Sequence, residues 1–70
     1  MKSKILLKLE HSNLFHQWWR TSKYLPEHGK IVRGIFRDGR ELLCECSPED
    51  GIWFIGMIVT DPPIWWAYHY

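Results

Sequence analysis

The sequence predicts a small α+β domain, mainly β, with an antiparallel sheet of about four to five strands and one short helix near the N-terminus. Runs of β-branched and aromatic residues alternate with turn residues from position 30 onward, and an Asp-Gly pair separates two of these runs. Apolar residues at helical spacing occur only between residues 12 and 22. The chain has 70 residues, 46% hydrophobic and 24% charged, which predicts a single domain over 1–70.

The first 26 residues predict a weak strand and the helix. Residues 4–9 partly alternate between apolar and charged side chains, which weakly favours a strand. Ser12 is a good N-cap residue. The apolar residues after it form one stripe of a helix: Leu14, Phe15, Trp18 and Trp19. We therefore expect a helix at about 12–22, which ends before Leu25 because Pro26 disfavours a helical residue before it.

The segment from 30 to 47 predicts a β-hairpin. Asp38-Gly39 suits a two-residue type I′ turn, in which both central residues have positive φ. This turn would set Ile35 opposite Leu42. The predicted core face then carries Ile31, Ile35, Leu42, Cys44 and Cys46. The predicted opposite face carries Val32, Gly34, Phe36, Glu41, Leu43 and Glu45.

Two further strands are predicted after this hairpin. Residues 52–59 are apolar at almost every position, which is typical of a central strand covered on both faces. Gly34 and Gly56 lie inside predicted strands, where glycine often marks a bulge or a close contact. The last seven residues predict a strand in which neighbours point to opposite faces. Trp65 and Trp66 therefore cannot both enter one core from a single-sided sheet.

The charge balance favours protein partners over nucleic acid. Nine Lys plus Arg and eight Asp plus Glu give a net charge of +1, spread along the sequence. Nucleic-acid-binding proteins usually carry a strong basic excess or a basic stripe. Near-neutral charge also eases association between copies, so a homodimer is a further option. No stretch approaches the ~20 apolar residues of a membrane span, so we expect no membrane partner.

Cysteine and histidine are the candidates for metal or nucleophilic chemistry. Cys44-x-Cys46 together with His11, His16, His28 and His69 could supply zinc ligands. Structural zinc sites usually use a wider Cys spacing, so two small buried thiols are the favoured interpretation. Neither cysteine follows an activating motif. We therefore expect no catalytic residue, metal or cofactor, and the reduced thiols and lack of a secretory pattern predict a cytoplasmic protein.

A longer pattern spans residues 18–66. It starts at Trp18, continues through Leu25-Pro26-Glu27, Gly29 and Val32, and ends with Trp53 and a tryptophan at 65 or 66. This pattern resembles a family of short phage and prophage domains of unknown function. Trp19 stands where that family usually has isoleucine, and this chain lacks the histidine that precedes the family's final tryptophan and the family's terminal Pro-Leu-Pro. The resemblance implies a phage origin, the host cytoplasm and a β-rich fold, but no activity.

The aromatic residues give the functional prediction. Five Trp, three Tyr and three Phe fill the core of a small domain, and any that remain exposed are favoured binding residues. We predict a non-catalytic, phage-encoded module that binds a host protein or protein complex. Its most specific form is an inhibitor that blocks the surface of a CRISPR-type defence complex. The candidate partner-binding residues are Trp19, Arg20, Tyr24, Trp65, Tyr68 and Tyr70.

The alternative function is a small nucleic-acid-binding accessory protein. Four basic residues of the predicted hairpin would contact phosphates: Lys30, Arg33, Arg37 and Arg40. Binding that depends on phosphates weakens steeply with added salt, which separates this function from protein binding through aromatic residues.

Overall fold

The computed structural model of the chain describes residues 4–8 and 17–69. The regular secondary structure in these residues consists of β-strands alone, so the prediction of a mainly β fold is confirmed. The strands are β1 (Ile5–Leu7), β2 (Trp19–Arg20), β3 (Tyr24–Pro26), β4 (Val32–Ile35), β5 (Glu41–Ser47), β6 (Ile52–Ile55), β7 (Ile58–Thr60) and β8 (Trp65–Tyr68).

Six strands form one antiparallel sheet in the order β2-β8-β4-β5-β6-β7. β1 and β3 form a separate two-stranded parallel sheet. The sheet is larger than the four to five strands predicted, partly because a turn at Gly56-Met57 divides the apolar run from 52 to 59. Gly56 has φ +64°, as the first central residue of a type II′ hairpin turn requires. Residues expected to form one central strand therefore form a hairpin at the edge.

The predicted helix at about 12–22 is wrong over its described part. Trp19 and Arg20 pair with Trp66 and Trp65, and residues 21–23 form a turn. Pairing with β8 gives these backbone groups partners from the far end of the chain, and such tertiary pairing overrides a local helical pattern. The part of the prediction from 12 to 16 lies outside the described residues.

The β4–β5 hairpin is confirmed, but its register differs from the prediction by one residue. Ile35 lies opposite Glu41 instead of Leu42. Since side chains alternate along a strand, a shift of one residue turns β4 over. Ile31 is consequently exposed, and Ile35 lies on the face away from the core. The hairpin residues that face the core are Val32, Gly34, Phe36, Leu42, Cys44 and Cys46.

The turn of this hairpin explains the shift. The Phe36 N–H donates to the Arg40 carbonyl at 2.9 Å, and the Gly39 N–H donates to the Phe36 carbonyl at 2.8 Å. Gly39 has φ +88°, whereas Asp38 does not have a positive φ. The loop is therefore a three-residue type I turn that ends in a left-handed glycine. The Asp38 carboxylate accepts hydrogen bonds from the Arg40 backbone N–H at 3.0 Å and from Arg40 Nε at 2.7 Å.

The core lies where the small sheet packs against the inner face of the large one. Two side chains of β8 join the layers by hydrogen bonds. The Trp66 indole N–H donates to the Tyr24 carbonyl at 3.0 Å. The Tyr68 hydroxyl donates to the Leu7 carbonyl and accepts from the Glu27 backbone N–H at 3.2 Å. The largest fully buried side chains are Trp53, Trp66, Tyr68, Val32, Pro26, Pro63, Cys44 and Cys46.

Gly34 marks a close contact, as the sequence predicts. A Cβ at this position would lie 2.8 Å from Cys44 Sγ and 3.0 Å from Pro63 Cβ. We expect Gly34→Ala to lower the free energy of unfolding by about 1–3 kcal/mol, measured by urea titration, because the core would be overpacked. Cys44→Ala removes the nearest atom, so the double variant should lose less stability than the sum of the two single variants. Strictly additive losses would contradict this steric explanation.

Candidate partner-binding surface

The face of the large sheet that points away from the core, here called the outer face, is rich in exposed apolar side chains. Alternation along each strand assigns residues to this face, because their sequence neighbours point into the core. Ten large hydrophobic side chains are exposed among the described residues. Five of them lie on the outer face: Trp18, Ile31, Leu43, Ile52 and Val59. Such clustering is typical of an interaction surface.

One Arg–Trp contact lies where β2 meets β8. Arg20 is directly opposite Trp65, and its guanidinium carbon lies 4.8 Å from the centroid of the Trp65 ring. Ile35 of β4 flanks Trp65 from the other side. The cation–π contact and the neighbouring strand hold the indole and the guanidinium in one arrangement at the surface.

A second Arg–Trp contact lies beside the first. The Arg33 guanidinium carbon lies 5.0 Å from the centroid of the Trp18 ring. Ala67 of β8 is opposite Arg33 and is 0% exposed. On the other side of Arg33, β5 places Leu43, which is 50% exposed. The residues of the two contacts and this leucine are here called the Arg–Trp surface: Trp18, Arg20, Arg33, Leu43 and Trp65.

The Arg33 guanidinium forms only a loose ion pair with Glu41. The distance from Arg33 Nη1 to Glu41 Oε2 is 3.9 Å, which is longer than a hydrogen bond. The Arg33 side chain is 34% exposed. Donor groups of Arg33 are therefore open to a carboxylate or carbonyl from outside the chain.

The structure places four of the predicted partner-binding residues on two different faces. Arg20 and Trp65 lie together on the outer face. Trp19 and Tyr24 pack edge to face with their ring centroids 5.1 Å apart, and both are half-buried against the core. Only the first pair therefore belongs to the Arg–Trp surface.

Tyr68 is a core residue, which corrects its place among the predicted surface residues. Its side chain is fully buried, and its hydroxyl is hydrogen-bonded to the Leu7 carbonyl of β1 and to the backbone N–H of Glu27, directly after β3. Tyr70 lies outside the described residues. Sequence reasoning does not predict Trp18, Arg33 and Leu43 as partner-binding residues, and it names Arg33 only as a candidate for phosphate contact. Neighbouring residues of a strand point to opposite faces, so a strand at this position would have separated Trp18 from Trp19. The helix prediction instead placed both indoles in one apolar stripe.

Both cysteines lie in the core, as predicted. Each is 2% exposed and free of a disulfide. Burial raises the pKa of Cys44 to about 12 and that of Cys46 to about 11, so both thiols are protonated at neutral pH and poorly nucleophilic. Within the described ranges, no three His, Cys, Asp or Glu residues come together as metal ligands. His11 and His16 lie outside those ranges.

The four hairpin cations proposed for phosphate binding do not form one surface. Lys30 precedes β4 and Arg37 lies in the turn after it, so they are at opposite ends of the strand. Arg33 contacts Trp18 on the outer face, and Arg40 is bonded to Asp38. This arrangement does not follow a continuous nucleic-acid backbone.

Comparison of the chain with protein-family models, curated proteins and solved structures gave no match. In the part of the chain that the structure describes, no helix is long and apolar enough to cross a membrane.

Proposed function

We propose that this chain is a non-catalytic protein-interaction module that binds a partner protein through the Arg–Trp surface. The observation that carries the proposal is the pair of Arg–Trp contacts, Arg20 with Trp65 and Arg33 with Trp18, side by side on the outer face. Tryptophan and arginine are the residue types most enriched among those that dominate binding energy in protein interfaces.

The chemistry of this surface indicates what a partner must offer. Leu43 and the two indoles supply apolar area, whose burial contributes roughly 25 cal/mol per Å². The open donors of Arg33 suit a carboxylate at the edge of an apolar patch. Because strand pairing and cation–π contacts already order these side chains, little conformational entropy is lost on binding.

In its most specific form, the proposed partner is a CRISPR-type defence complex of a bacterial host. The resemblance of residues 18–66 to phage and prophage domains supports a phage origin and action in the host cytoplasm. Surface blocking needs only a rigid scaffold with a few anchors, and a short β-rich chain with the Arg–Trp surface can supply both.

Affinity capture with matched variants tests the partner surface. We expect a protein from nuclease-treated bacterial lysate to be retained by the wild type and by Arg37→Ala. Retention should fall at least about tenfold with Arg20→Ala or Trp65→Ala, because truncating a dominant interface residue typically costs 2 kcal/mol or more, about 30-fold in affinity. Arg37→Ala is the matched control, since it removes an exposed arginine away from this surface. Circular dichroism verifies that each variant is folded.

The defence form of the proposal has its own test. In cells with an active CRISPR-type complex, expression of the wild type should raise survival of a targeted plasmid, and Trp65→Ala should not. Equal plasmid survival with the wild type and with Trp65→Ala would contradict surface blocking through Trp65.

Nucleic-acid binding remains the second candidate, because Arg–aromatic pairs can also stack on bases. In a parallel capture from lysate without nuclease treatment, retention of nucleic acid alone, lost steeply with salt and weakened by Arg37→Ala, would favour this candidate over the protein partner.

A further inference from the structure

β7 (Ile58–Thr60) forms one edge of the large sheet, and among the described residues only β6 pairs with it. An edge strand offers unpaired backbone N–H and C=O groups to another extended chain. Charged side chains and proline are the usual protection of such an edge, but none occurs between residues 52 and 60. The opposite edge strand, β2, has only two residues and carries Arg20.

The edge is also the most exposed apolar part of the described chain. Met57 is 98% exposed, Ile58 74% and Val59 63%, the three highest values among the exposed large hydrophobic side chains. Met57 lies in the turn, and Ile58 and Val59 point to opposite faces of β7, so this edge is apolar and exposed on both faces. A surface of this kind is typical of a contact site.

The β6–β7 hairpin determines which backbone groups are free. Its two-residue turn makes Ile55 and Ile58 the pair next to the turn, and this pair exchanges both of its hydrogen bonds. Bonded and non-bonded pairs alternate along an antiparallel ladder. Val59, opposite Phe54, therefore directs its N–H and C=O away from β6 and lies at the centre of the free edge.

We propose that two copies of this chain pair antiparallel along β7, with Val59 of each copy opposite Val59 of the other. The two valines then exchange both backbone hydrogen bonds across a two-fold axis. Ile58 of each copy lies opposite Thr60 of the other, on the inner face, as a favourable β-branched pair. The same edge serves both copies, so the dimer needs no second surface.

Charge permits an identical copy as the occupant of this edge. β7 is uncharged and the chain has a net charge of only +1, so repulsion between two copies is weak. The register also sets Met57 opposite Asp61, so no like charges meet. The Arg–Trp surface lies on β2, β4, β5 and β8, toward the other end of the sheet, and stays open in the dimer.

A charge-exchange experiment tests this register. Sedimentation equilibrium of the purified chain should show a dimer. Val59→Lys and Val59→Glu should each raise the dissociation constant at least about tenfold, equivalent to about 1.4 kcal/mol, because each removes the apolar Val59 pair from the interface and sets like charges directly opposite each other. An equimolar mixture of the two variants should dimerise again, because Lys and Glu then face each other.

Ile5→Lys is the matched control. Ile5 is 58% exposed in β1, so the substitution adds the same charge at a similarly exposed apolar position away from the edge. It should dimerise as the wild type does. A monomeric wild type, a dimer that persists in both Val59 variants, or a mixture that stays monomeric would each overturn the proposal. The measurement uses the purified chain alone, so such a failure would leave the proposed partner binding untouched.

Discussion

Trp66→Ala should lower the free energy of unfolding by about 3–5 kcal/mol, the usual cost of removing a buried aromatic side chain. Trp66 is 0% exposed and packs edge to face on Tyr68 with ring centroids 4.9 Å apart. Its indole N–H also joins the two sheets through the Tyr24 carbonyl. A domain of this length has a total stability of only about 3.5–10 kcal/mol, so this one change should leave a large unfolded fraction at 25 °C.

Urea titration followed by circular dichroism measures this loss without depending on tryptophan fluorescence. Trp66→Phe keeps an aromatic ring but loses the hydrogen bond, so it should unfold at an intermediate urea concentration. Arg37→Ala is the surface control. It should change stability by less than about 0.5 kcal/mol, because Arg37 is an exposed turn residue outside both the Arg–Trp surface and β7. If Trp66→Ala unfolded at the same urea concentration as this control, the assignment of Trp66 to the core would be wrong.

The two adjacent tryptophans illustrate how far sequence reasoning reaches. Alternation along a strand predicts that Trp65 and Trp66 point to opposite faces, and the structure confirms it. Alternation does not decide which of the two is buried. That choice depends on the pairing of Gly34 with Trp66, a contact between strands that are far apart in sequence.

The first hairpin was predictable in existence but not in register. Asp38-Gly39 fits both a two-residue type I′ turn and a three-residue turn that ends in a left-handed glycine. The bonds from Arg40 to the Asp38 carboxylate are compatible with the longer loop, which has only one residue with positive φ. Apolar residues occur on both faces of β4, so hydrophobic alternation could not correct the register.

The Arg–Trp surface was only partly predictable for a related reason. Arg20 and Trp65 stand out by residue type, but Arg33 meets Trp18 only because β8 lies between β2 and β4. This strand order brings together segments from the beginning, middle and end of the described chain. Local spacing contains no information about such an order, and the stripe of apolar residues around Trp18 favoured a helix instead.

Alkaline pH should unfold the protein, because two thiols and one phenol that are buried in the core must then lose their protons. Burial raises the pKa of Cys44 and Tyr68 to about 12 and that of Cys46 to about 11, from ordinary values of 9.0 for the thiols and 10.0 for the phenol. In the unfolded chain these groups lose their protons at the lower values. Their contribution to stability is therefore fully present below pH 9 and is lost as the pH rises toward 11–12.

The expected slope is about 1.4 kcal/mol per pH unit for each group that is protonated in the folded chain and ionised in the unfolded one. Between pH 10 and 11 the three groups together contribute about 3 kcal/mol, because Tyr68 is only partly ionised in the unfolded chain at pH 10 and Cys46 begins to ionise in the folded chain near pH 11. This loss is a large part of the whole stability of a chain of this size. Urea midpoints measured with a reductant at about pH 7, 9, 10 and 11 should fall progressively above pH 9. The double variant Cys44→Ala, Cys46→Ala should delay the onset of this fall to about pH 10, where Tyr68 begins to ionise in the unfolded chain. A urea midpoint that stays constant from neutral pH to pH 11 would mean that burial in the core does not raise the pKa values of these thiols and this phenol.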